Sequence, residues 1–448
     1  MVIGWLLSHF FIQHKMSIPK VSLLTSILLL VVVMTAAAAE FKIDADFPGG
    51  NIVVKEIDGD NVRLDVDLRD TSEKEFGGKW FYWSFRIRGA EGRTLNFEFT
   101  PVLNGPIGAR GPAISNDGGY TWRWLSDSPG FARTKFQYTF TADEKDVLFS
   151  TGMNYTEKNL KRFLEKHKGS ANLKLETLCK SKKGRDVELL RIPGKGNAAD
   201  FKIALTARHH CCEMMANYVL EGIIETTLSD TDDGKWLREH CDFFIVPFVD
   251  RDGVEDGDQG KNRKPHDHNR DYVQRIYPEV KAITEQVPAW QNEKPILWVD
   301  LHCPMLRNGR NDAPLDKVSE ESLQLYGTLH EAGTPLEECW KIQQRFSKIL
   351  EAEQKGTIPY KQAFILNYHS SRAQASARMG SPNILSSCLW AATLPNIIFA
   401  ATLETPYANA SNAVVDADSG RALGRDFAHA IHLCLKEEFE RRRTSSGK

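Results

Sequence analysis

Four short, largely apolar stretches constrain the fold of this chain more than any other feature. They cover residues 201–207, 243–249, 296–301 and 396–403. Runs of this length and composition are typical of strands buried on both faces of a sheet. A helix is predicted between the first two strands, over residues 214–227. Strands that alternate with helices predict an α/β domain with a mixed or largely parallel central sheet flanked by helices.

The preceding region has a different pattern. Apolar and polar side chains alternate over residues 51–55 and 62–68, and aromatic strands follow at 80–87 and 95–99. Period-two alternation broken by Gly, Asp and Asn turns predicts an antiparallel β-sandwich. The pattern becomes helical at residues 157–168. We therefore predict a sandwich domain over residues 40–149, a catalytic α/β domain over 150–435 and a charged tail over 436–448.

The N-terminus has the layout of a secretory signal. Apolar residues 21–34 follow two lysines and lead into four alanines, residues 36–39. The run is short for a bilayer span of about 20 residues, and the small residues at its end favour cleavage. We expect residues 1–39 to be removed near Ala39, which would export the protein to the periplasm or the medium. Retention would anchor it in the membrane, and translation from Met16 would give a more ordinary signal.

Charge and cysteine content narrow the function classes. The net charge is −2 and the basic residues are scattered, so no nucleic-acid partner is expected. The eight cysteines show no compact framework, and no disulfide is predicted from their spacing.

Two stretches supply side chains that bind transition metals. His210 and Glu213 follow the first predicted strand, and residues three apart lie on the same side of a helical turn. His302 follows the third predicted strand. Two His and one Glu leave a fourth tetrahedral position for water, which a hydrolytic zinc site requires. His209 is a competing ligand, and a structural histidine is the alternative interpretation of each stretch taken alone.

Two further stretches are suited to a substrate. The polar loop over residues 261–272 carries cations and Asn269, and an arginine presents a planar fork of donors that binds a carboxylate. A solvated loop is the alternative interpretation. Glu404 ends the fourth apolar run, where a carboxylate without a partner is costly to bury. Beside a metal and its water, such an acid is a credible general base.

Taken in chain order, these stretches resemble the zinc carboxypeptidases of the M14 family, and more narrowly its cytosolic-carboxypeptidase-like branch. The motifs are His210-Cys211-Cys212-Glu213, the loop over residues 261–272, Asp300-Leu301-His302, and Thr402-Leu403-Glu404-Thr405-Pro406-Tyr407. The resemblance spans residues 149–435 and implies a carboxypeptidase-like mixed sheet. Two cysteines stand between the first two ligands, where small or Pro-Gly pairs are more usual in the family.

The resemblance implies a role for each of these residues. It implies one zinc ion held by His210, Glu213 and His302, with Glu404 as general base and Asn269 and Arg270 binding the terminal carboxylate of the substrate. It assigns polarisation of the scissile carbonyl to Arg263, with Lys261 or Arg251 as alternatives. For the tyrosine that family members bring over the substrate, Tyr368 and Tyr407 are both candidates.

The implied function is hydrolysis of C-terminal residues from peptides or proteins with a free C-terminal carboxylate. One alternative is an exported zinc amidohydrolase acting on peptidoglycan stem peptides or acylated amino acids, with the same metal and base. The other is an inactive carbohydrate- or peptide-binding protein. Loss of an essential residue would indicate the inactive protein, and none of the core positions is missing.

Overall fold

The structure is a computed structural model that describes residues 40–70, 80–100, 105–195, 198–261, 263–306, 322–327, 333–361, 365–367 and 384–446. The predicted signal segment and Tyr368 lie outside the described residues.

Nine strands form the N-terminal β-region. They are β1 (Lys42–Asp44), β2 (Val53–Asp58), β3 (Asn61–Asp65), β4 (Ser84–Arg88), β5 (Thr94–Phe99), β6 (Ala113–Ser115), β7 (Arg123–Trp124), β8 (Lys135–Thr139) and β9 (Asp146–Ser150). One sheet has the order β1-β4-β9-β6-β7 and the other β2-β3-β5-β8. Aromatic rings join the two sheets, with centroids 5.8 Å apart for Phe85 and Phe97 and 5.7 Å apart for Phe136 and Phe149. The predicted β-sandwich is therefore present.

One strand pair in the sandwich is not antiparallel as predicted. Strands β3 and β5 pair in parallel, whereas the other pairs of the two sheets are antiparallel. The chain crosses to the other sheet to form β4 and then returns, so β5 enters beside β3 in the same direction. Alternation along a strand reports which face is buried but not the direction of its neighbour.

A mixed sheet of eight strands forms the second part. Its members are β10 (Lys174–Lys180), β11 (Asp186–Ile192), β12 (Phe201–Ala207), β13 (Cys241–Val246), β14 (Ile296–His302), β15 (Gln324–Gly327), β16 (Ile365–Asn367) and β17 (Ile397–Glu404). They lie in the order β10-β11-β13-β12-β14-β17-β15-β16. The four adjacent strands β13, β12, β14 and β17 are parallel, and they are the four predicted apolar stretches. Every residue of β12, β13 and β14 is buried, as expected for strands covered on both faces.

Helices cover this sheet and the predicted α/β class is confirmed. They are α1 (Glu157–Lys166), α2 (Met215–Leu228), α3 (Asp232–His240), α4 (Arg251–Asp256), α5 (Pro278–Gln291), α6 (Pro335–Glu353), α7 (Ser387–Ala391) and α8 (Ala417–Ser446), with a 3-10 turn at His268–Arg270 and a two-stranded ribbon of β18 (Asn409–Ala410) and β19 (Ala413–Val414). Helix α8 continues into the predicted charged tail as far as Ser446. In the part of the chain described here, no helix has both the length and the apolar character needed to cross a membrane.

Two glycines let α2 and α8 pack closely. A Cβ on Gly222 would lie 2.1 Å from the Arg421 carbonyl oxygen, and a Cβ on Gly424 would lie 2.1 Å from that of Val219. Any larger residue at either position would push the helices apart, because interiors are packed without spare volume.

The sandwich fixes the loop that leads to the functional residues. The Gln259 side-chain oxygen accepts hydrogen bonds from the backbone amides of Phe81 (2.8 Å) and Tyr82 (3.2 Å). On the other side, the Trp124 indole N–H donates to the Val415 carbonyl at 2.7 Å. The β-region therefore takes part in shaping the second domain.

Candidate metal centre

The predicted site residues lie at one edge of the eight-stranded sheet. Strands β12, β14 and β17 are parallel, so their carboxyl ends meet at the same edge, where open α/β sheets place their ligands. The register sets His302 directly opposite Glu404. Residues a hundred positions apart in the sequence thus become neighbours.

Three of these residues form a cluster that we call the metal centre: His210, Glu213 and His302. The Nδ1 atom of His210 lies 2.9 Å from Glu213 Oε1, and the Nδ1 atom of His302 lies 2.6 Å from Glu213 Oε2. All three side chains are buried, and their ligand atoms lie within 4.8 Å of one another. Two imidazole nitrogens facing one carboxylate match the donor set of a tetrahedral catalytic zinc site, so the residues present fit the metal.

A buried arginine holds the turn that carries two of the ligands. Arg208 has a φ of +64°, and its side chain donates to the Cys211 carbonyl at 2.8 Å and to the Asn217 side-chain oxygen at 2.7 Å. These bonds close the turn between β12 and α2 around His210 and Glu213. Arg208 was not predicted as a functional residue, because an arginine beside two histidines is not a recognisable sequence motif.

Asp300 accepts hydrogen bonds from His302 and from the neighbouring His209. Its Oδ2 atom accepts from His302 Nε2 at 2.7 Å, and its Oδ1 atom accepts from His209 Nδ1 at 2.8 Å. The other nitrogen of His209 accepts from the Tyr272 hydroxyl at 2.8 Å. His209, Asp300 and His302 also converge closely enough to bind an ion. Both nitrogens of His209 are engaged, however, and His302 Nδ1 faces Glu213, so the geometry favours His210 as the ligand.

Glu404 lies beside the metal centre and has one oxygen without a hydrogen-bond partner in the described structure. Its Oε2 atom is buried and accepts no hydrogen bond within the described part of the chain. Burial raises the pKa of this carboxyl to about 7, although His302 acts to lower it. A buried carboxylate oxygen without a hydrogen-bond partner lowers the stability of the fold. Beside a candidate metal site, such an acid is suited to accept a proton.

Lys261 is the cation that faces the metal centre. Its Nζ atom lies 2.7 Å from Glu213 Oε1 and donates to the carbonyl oxygens of Pro304 (3.3 Å) and Cys303 (3.4 Å). Burial acts to lower the pKa of this ammonium, but the charges of Glu213, Cys212 and Glu404 and the hydrogen bond to Glu213 together raise the pKa above its ordinary value. Lys261 is therefore a fixed positive charge beside the metal ligands.

Arg263, the sequence candidate for the carbonyl-polarising role, lies in a different environment. It pairs with Asp250 at 2.6 Å, Asp258 at 2.7 Å and Asp70 at 3.3 Å. We call Arg263 and these three acids the carboxylate cage. A guanidinium held in this way lies among acids outside the metal centre, whereas a carbonyl-polarising donor must lie beside the metal ligands.

The third candidate cation is neutralised in the same way. Arg251 pairs with Glu157 at 3.1 Å, Glu188 at 3.1 Å and Glu255 at 3.2 Å. Neither arginine has an ion pair with a member of the metal centre among these contacts, so Lys261 is the candidate that reaches it.

The residues predicted to bind the substrate carboxylate lie on the 3-10 turn. Asn269 Nδ2 is 3.3 Å from His302 Nε2, and its Oδ1 atom accepts from the Ser387 backbone amide at 2.9 Å. Arg270 is partly exposed and donates to the Asn269 carbonyl at 3.0 Å. Asp267, which the sequence analysis missed, has its Oδ1 atom 3.6 Å from His210 Nε2.

Tyr407 points into the core. Its hydroxyl lies 3.6 Å from Cys212 Sγ, and its ring meets Phe81 edge-on at 5.6 Å between centroids.

Glycine is required at position 260, where φ is +77° and a Cβ would lie 2.6 Å from the Cys211 amide nitrogen. The two cysteines between the metal ligands are thus enclosed by neighbouring residues.

Comparison with known proteins agrees with this geometry. The zinc carboxypeptidase family model matches residues 158–379. Cytosolic carboxypeptidase 2 of Xenopus tropicalis is 29% identical over 208 residues, covering 42% of this chain and 22% of that protein. An uncharacterized protein of Zymomonas mobilis is 27% identical over 241 residues, covering 52% of this chain and 60% of that protein. The match therefore spans less than two thirds of either relative.

Among solved structures, a metallo-carboxypeptidase from Pseudomonas aeruginosa superposes with a TM-score of 0.66 at 22% identity, covering 88% of this chain and 99% of that one. That likeness establishes the fold, a carboxypeptidase-like sheet preceded by a β-rich region. The fold and donor set are those of a metallopeptidase. More specifically, the chain carries a zinc carboxypeptidase domain of the M14 family, as the sequence motifs predicted.

Proposed function

We propose that the protein is a zinc-dependent metallocarboxypeptidase that removes C-terminal residues from peptides or proteins. The observation that carries this proposal is the buried, unpartnered oxygen of Glu404 beside the metal centre. Ligands alone would suit a structural ion, whereas an acid of raised pKa next to them is what proton transfer during hydrolysis requires.

His210, Glu213 and His302 would hold one zinc ion. In such a site zinc supplies a Lewis acid that polarises a carbonyl and lowers the pKa of water to about 7. Glu404 accepts the proton of the attacking water at Oε2 and later passes it to the leaving amine. Asp300 keeps the His302 ring in place through the 2.7 Å bond to Nε2.

Lys261 is the residue that we propose for polarising the scissile carbonyl. Its ammonium lies beside Glu213 and donates to two backbone carbonyls, so its positive charge is held where the oxyanion would develop and can stabilise that oxyanion electrostatically. Arg263 keeps its family-derived assignment only if it can leave the carboxylate cage.

Recognition of the free C-terminus is proposed for Asn269 and Arg270. Arg270 is partly exposed on the same short turn as Asn269, whose amide lies next to the metal ligand His302. A guanidinium and an amide on one turn next to a metal ligand would bind a carboxylate one residue beyond the scissile bond. Binding of that carboxylate would make the enzyme an exopeptidase.

A peptide panel tests the reaction. The purified protein is incubated separately with three substrates. Two are the same peptide with a free and with an amidated C-terminus, and the third is a peptidoglycan stem peptide. We expect the last residue to be released only from the peptide with a free C-terminus. Mass spectrometry measures this release. Equal cleavage of the amidated form would replace the carboxypeptidase with an amidohydrolase, and no cleavage of any form would favour a binding protein.

Metal analysis tests the ligands. His302→Ala should lose one equivalent of zinc relative to the parent protein, because it removes a nitrogen that faces Glu213 at 2.6 Å. His210→Ala should do the same. Unchanged zinc content in both variants would exclude these residues as ligands.

The site of action is proposed to lie outside the cytoplasm. The support is the apolar run over residues 21–34 and its four-alanine end. N-terminal sequencing of the mature protein should begin near residue 40, and recovery of an intact N-terminus in the cytoplasmic fraction would contradict export.

A further inference from the structure

A second convergence of metal-binding atoms lies far from the metal centre. Asp233 belongs to α3, and His429 and His432 belong to α8. The Nδ1 atoms of His429 and His432 lie 2.8 Å and 2.6 Å from the same oxygen, Asp233 Oδ1. The two histidines are three positions apart on one helix, so they share a face. We call these three residues the helix clasp.

The helix clasp is open to an incoming ion. Asp233 and His429 line a surface cavity of about 530 Å³, whose other charged residues are the acids Glu225, Glu353 and Asp426 and the cations Lys355 and Arg425, so its acids outnumber its cations. The His429 and Asp233 side chains are 27% and 22% exposed, whereas His432 is 7% exposed and closes the bottom of the site. The carboxylates around the cavity would attract a cation to its mouth.

The outer ring nitrogen of His429 faces a carboxylate, whereas that of His432 is enclosed by packing. His429 Nε2 lies 3.9 Å from Glu353 Oε2, and a metal-binding histidine usually directs its other ring N–H to a carboxylate. The His432 ring packs on Trp236 with centroids 5.0 Å apart, and its Nε2 atom is buried with no hydrogen-bond partner in the described structure. The ring of His432 is thus held in place by packing, with Nδ1 turned toward Asp233.

The distances require little movement to accept an ion. Zinc bonds of about 2.1 Å in a tetrahedron place neighbouring ligand atoms roughly 3.4 Å apart. The two nitrogens are 2.8 Å and 2.6 Å from Asp233 Oδ1, so each must open by less than about 1 Å. A rotation of the partly exposed His429 and Asp233 side chains would provide it.

We propose that the helix clasp is a second metal site, which takes a divalent first-row transition ion such as zinc through Asp233, His429 and His432. Two imidazoles and one carboxylate are the donors such ions prefer, and the fourth position faces the cavity. The ion would tie α3 to α8, and its role is structural because no acid or cation of the metal centre lies in the cavity lining. This proposal does not depend on the proposed function.

Zinc titration of the full chain tests the site. The apo protein is dialysed against Zn²⁺, and bound metal is counted by mass spectrometry. The parent protein should bind two equivalents, and His429→Gln and Asp233→Asn should each bind one while keeping peptidase activity. Added Zn²⁺ should raise the Tm of His302→Ala, in which only the helix clasp remains, and should not raise that of His302→Ala/His429→Gln.

A matched control is present on the same helix. His240 on α3 also pairs with a single acid, Asp200, at 2.7 Å, and also stacks on Trp236, but no second imidazole contributes. His240→Gln should still bind two equivalents. Zinc binding by His429→Gln equal to that of the parent protein, at one equivalent or at two, would overturn the second site. Two equivalents in a protein without peptidase activity would uphold it and overturn the proposed function instead.

Discussion

The metal centre and the carboxylate cage are neighbouring acid-rich regions that differ in how their acids are paired. Their side chains are largely buried, and a cation lies in or beside each region, Lys261 next to the metal centre and Arg263 in the cage, only two positions apart in the chain. Each also has a carboxyl whose pKa burial raises to about 7, Glu404 and Asp258. Composition therefore does not distinguish the two regions.

Pairing distinguishes them. In the carboxylate cage, Arg263 contacts all three acids, and the cage joins Asp70 of the sandwich to Asp250 at the start of α4. In the metal centre, an oxygen of Glu404 has no partner in the described structure, and two imidazoles face Glu213. A region whose acids all contact one cation of the protein links its parts, whereas a region with unpartnered acceptors is available to a metal and a substrate.

Removing the unpartnered acid should have the largest effect. Glu404→Gln retains the shape of the side chain but not its basicity. We expect kcat to fall by about 10³-fold or more, because positioned general bases contribute up to about 10⁴-fold. Zinc content and Tm should remain near those of the parent protein. Unaltered turnover would remove Glu404 from the mechanism and with it the main contrast with the carboxylate cage.

Breaking the carboxylate cage should affect stability instead. Arg263→Met leaves three buried acids without their cation, and removing one partner of a buried pair typically costs about 3–5 kcal/mol. Urea unfolding should show this loss, while kcat of the folded fraction stays within a few fold of the parent value. A stable variant with kcat lowered a hundredfold would instead give Arg263 the carbonyl-polarising role that the sequence suggested.

The matching change at the metal centre should affect turnover. Lys261→Met should lower kcat by about 10²-fold, the usual loss on removing one oxyanion donor. Steady-state kinetics should show a much smaller change in KM, and Lys261→Arg should restore part of the rate because it keeps the charge. A change confined to KM would mean that Lys261 binds substrate without stabilising the transition state.

The smallest effect concerns the pH dependence of stability. Burial and the charge of Asp70 raise the pKa of Asp258 to about 7, whereas an unfolded aspartate titrates near 4. Between these values the folded protein binds more protons than the unfolded chain, so its stability falls as the pH rises. Asp258→Asn removes this titration.

We therefore expect the free energy of unfolding of the parent protein, relative to that of Asp258→Asn, to be higher at pH 5 than at pH 8. The difference should be at least about 1.4 kcal/mol, the equivalent of one pKa unit. Urea titrations at both pH values measure it. An unchanged difference would mean that Arg263 keeps Asp258 ionised over the whole range.

The buried strands and the site motifs could be predicted from the sequence. The four parallel strands were predicted within a few residues, because strands buried on both faces need continuous apolar runs. The parallel pairing of β3 and β5 was not predicted, since the pattern along one strand is silent about the direction of the next. The helix clasp could not be predicted either, because Asp233 and the two histidines are nearly 200 residues apart.

The sequence by itself determined the α/β class, the M14 motifs and the candidate metal ligands, because these follow from local periodicity and from residue types at short spacing. Only the tertiary structure distinguishes the environments of Lys261 and Arg263. Both are cations of one loop, and their difference depends on which carboxylates reach them from the sandwich, from α4 and from the turn after β12. Long-range contacts set the electrostatic environment of a side chain, and no local pattern records them.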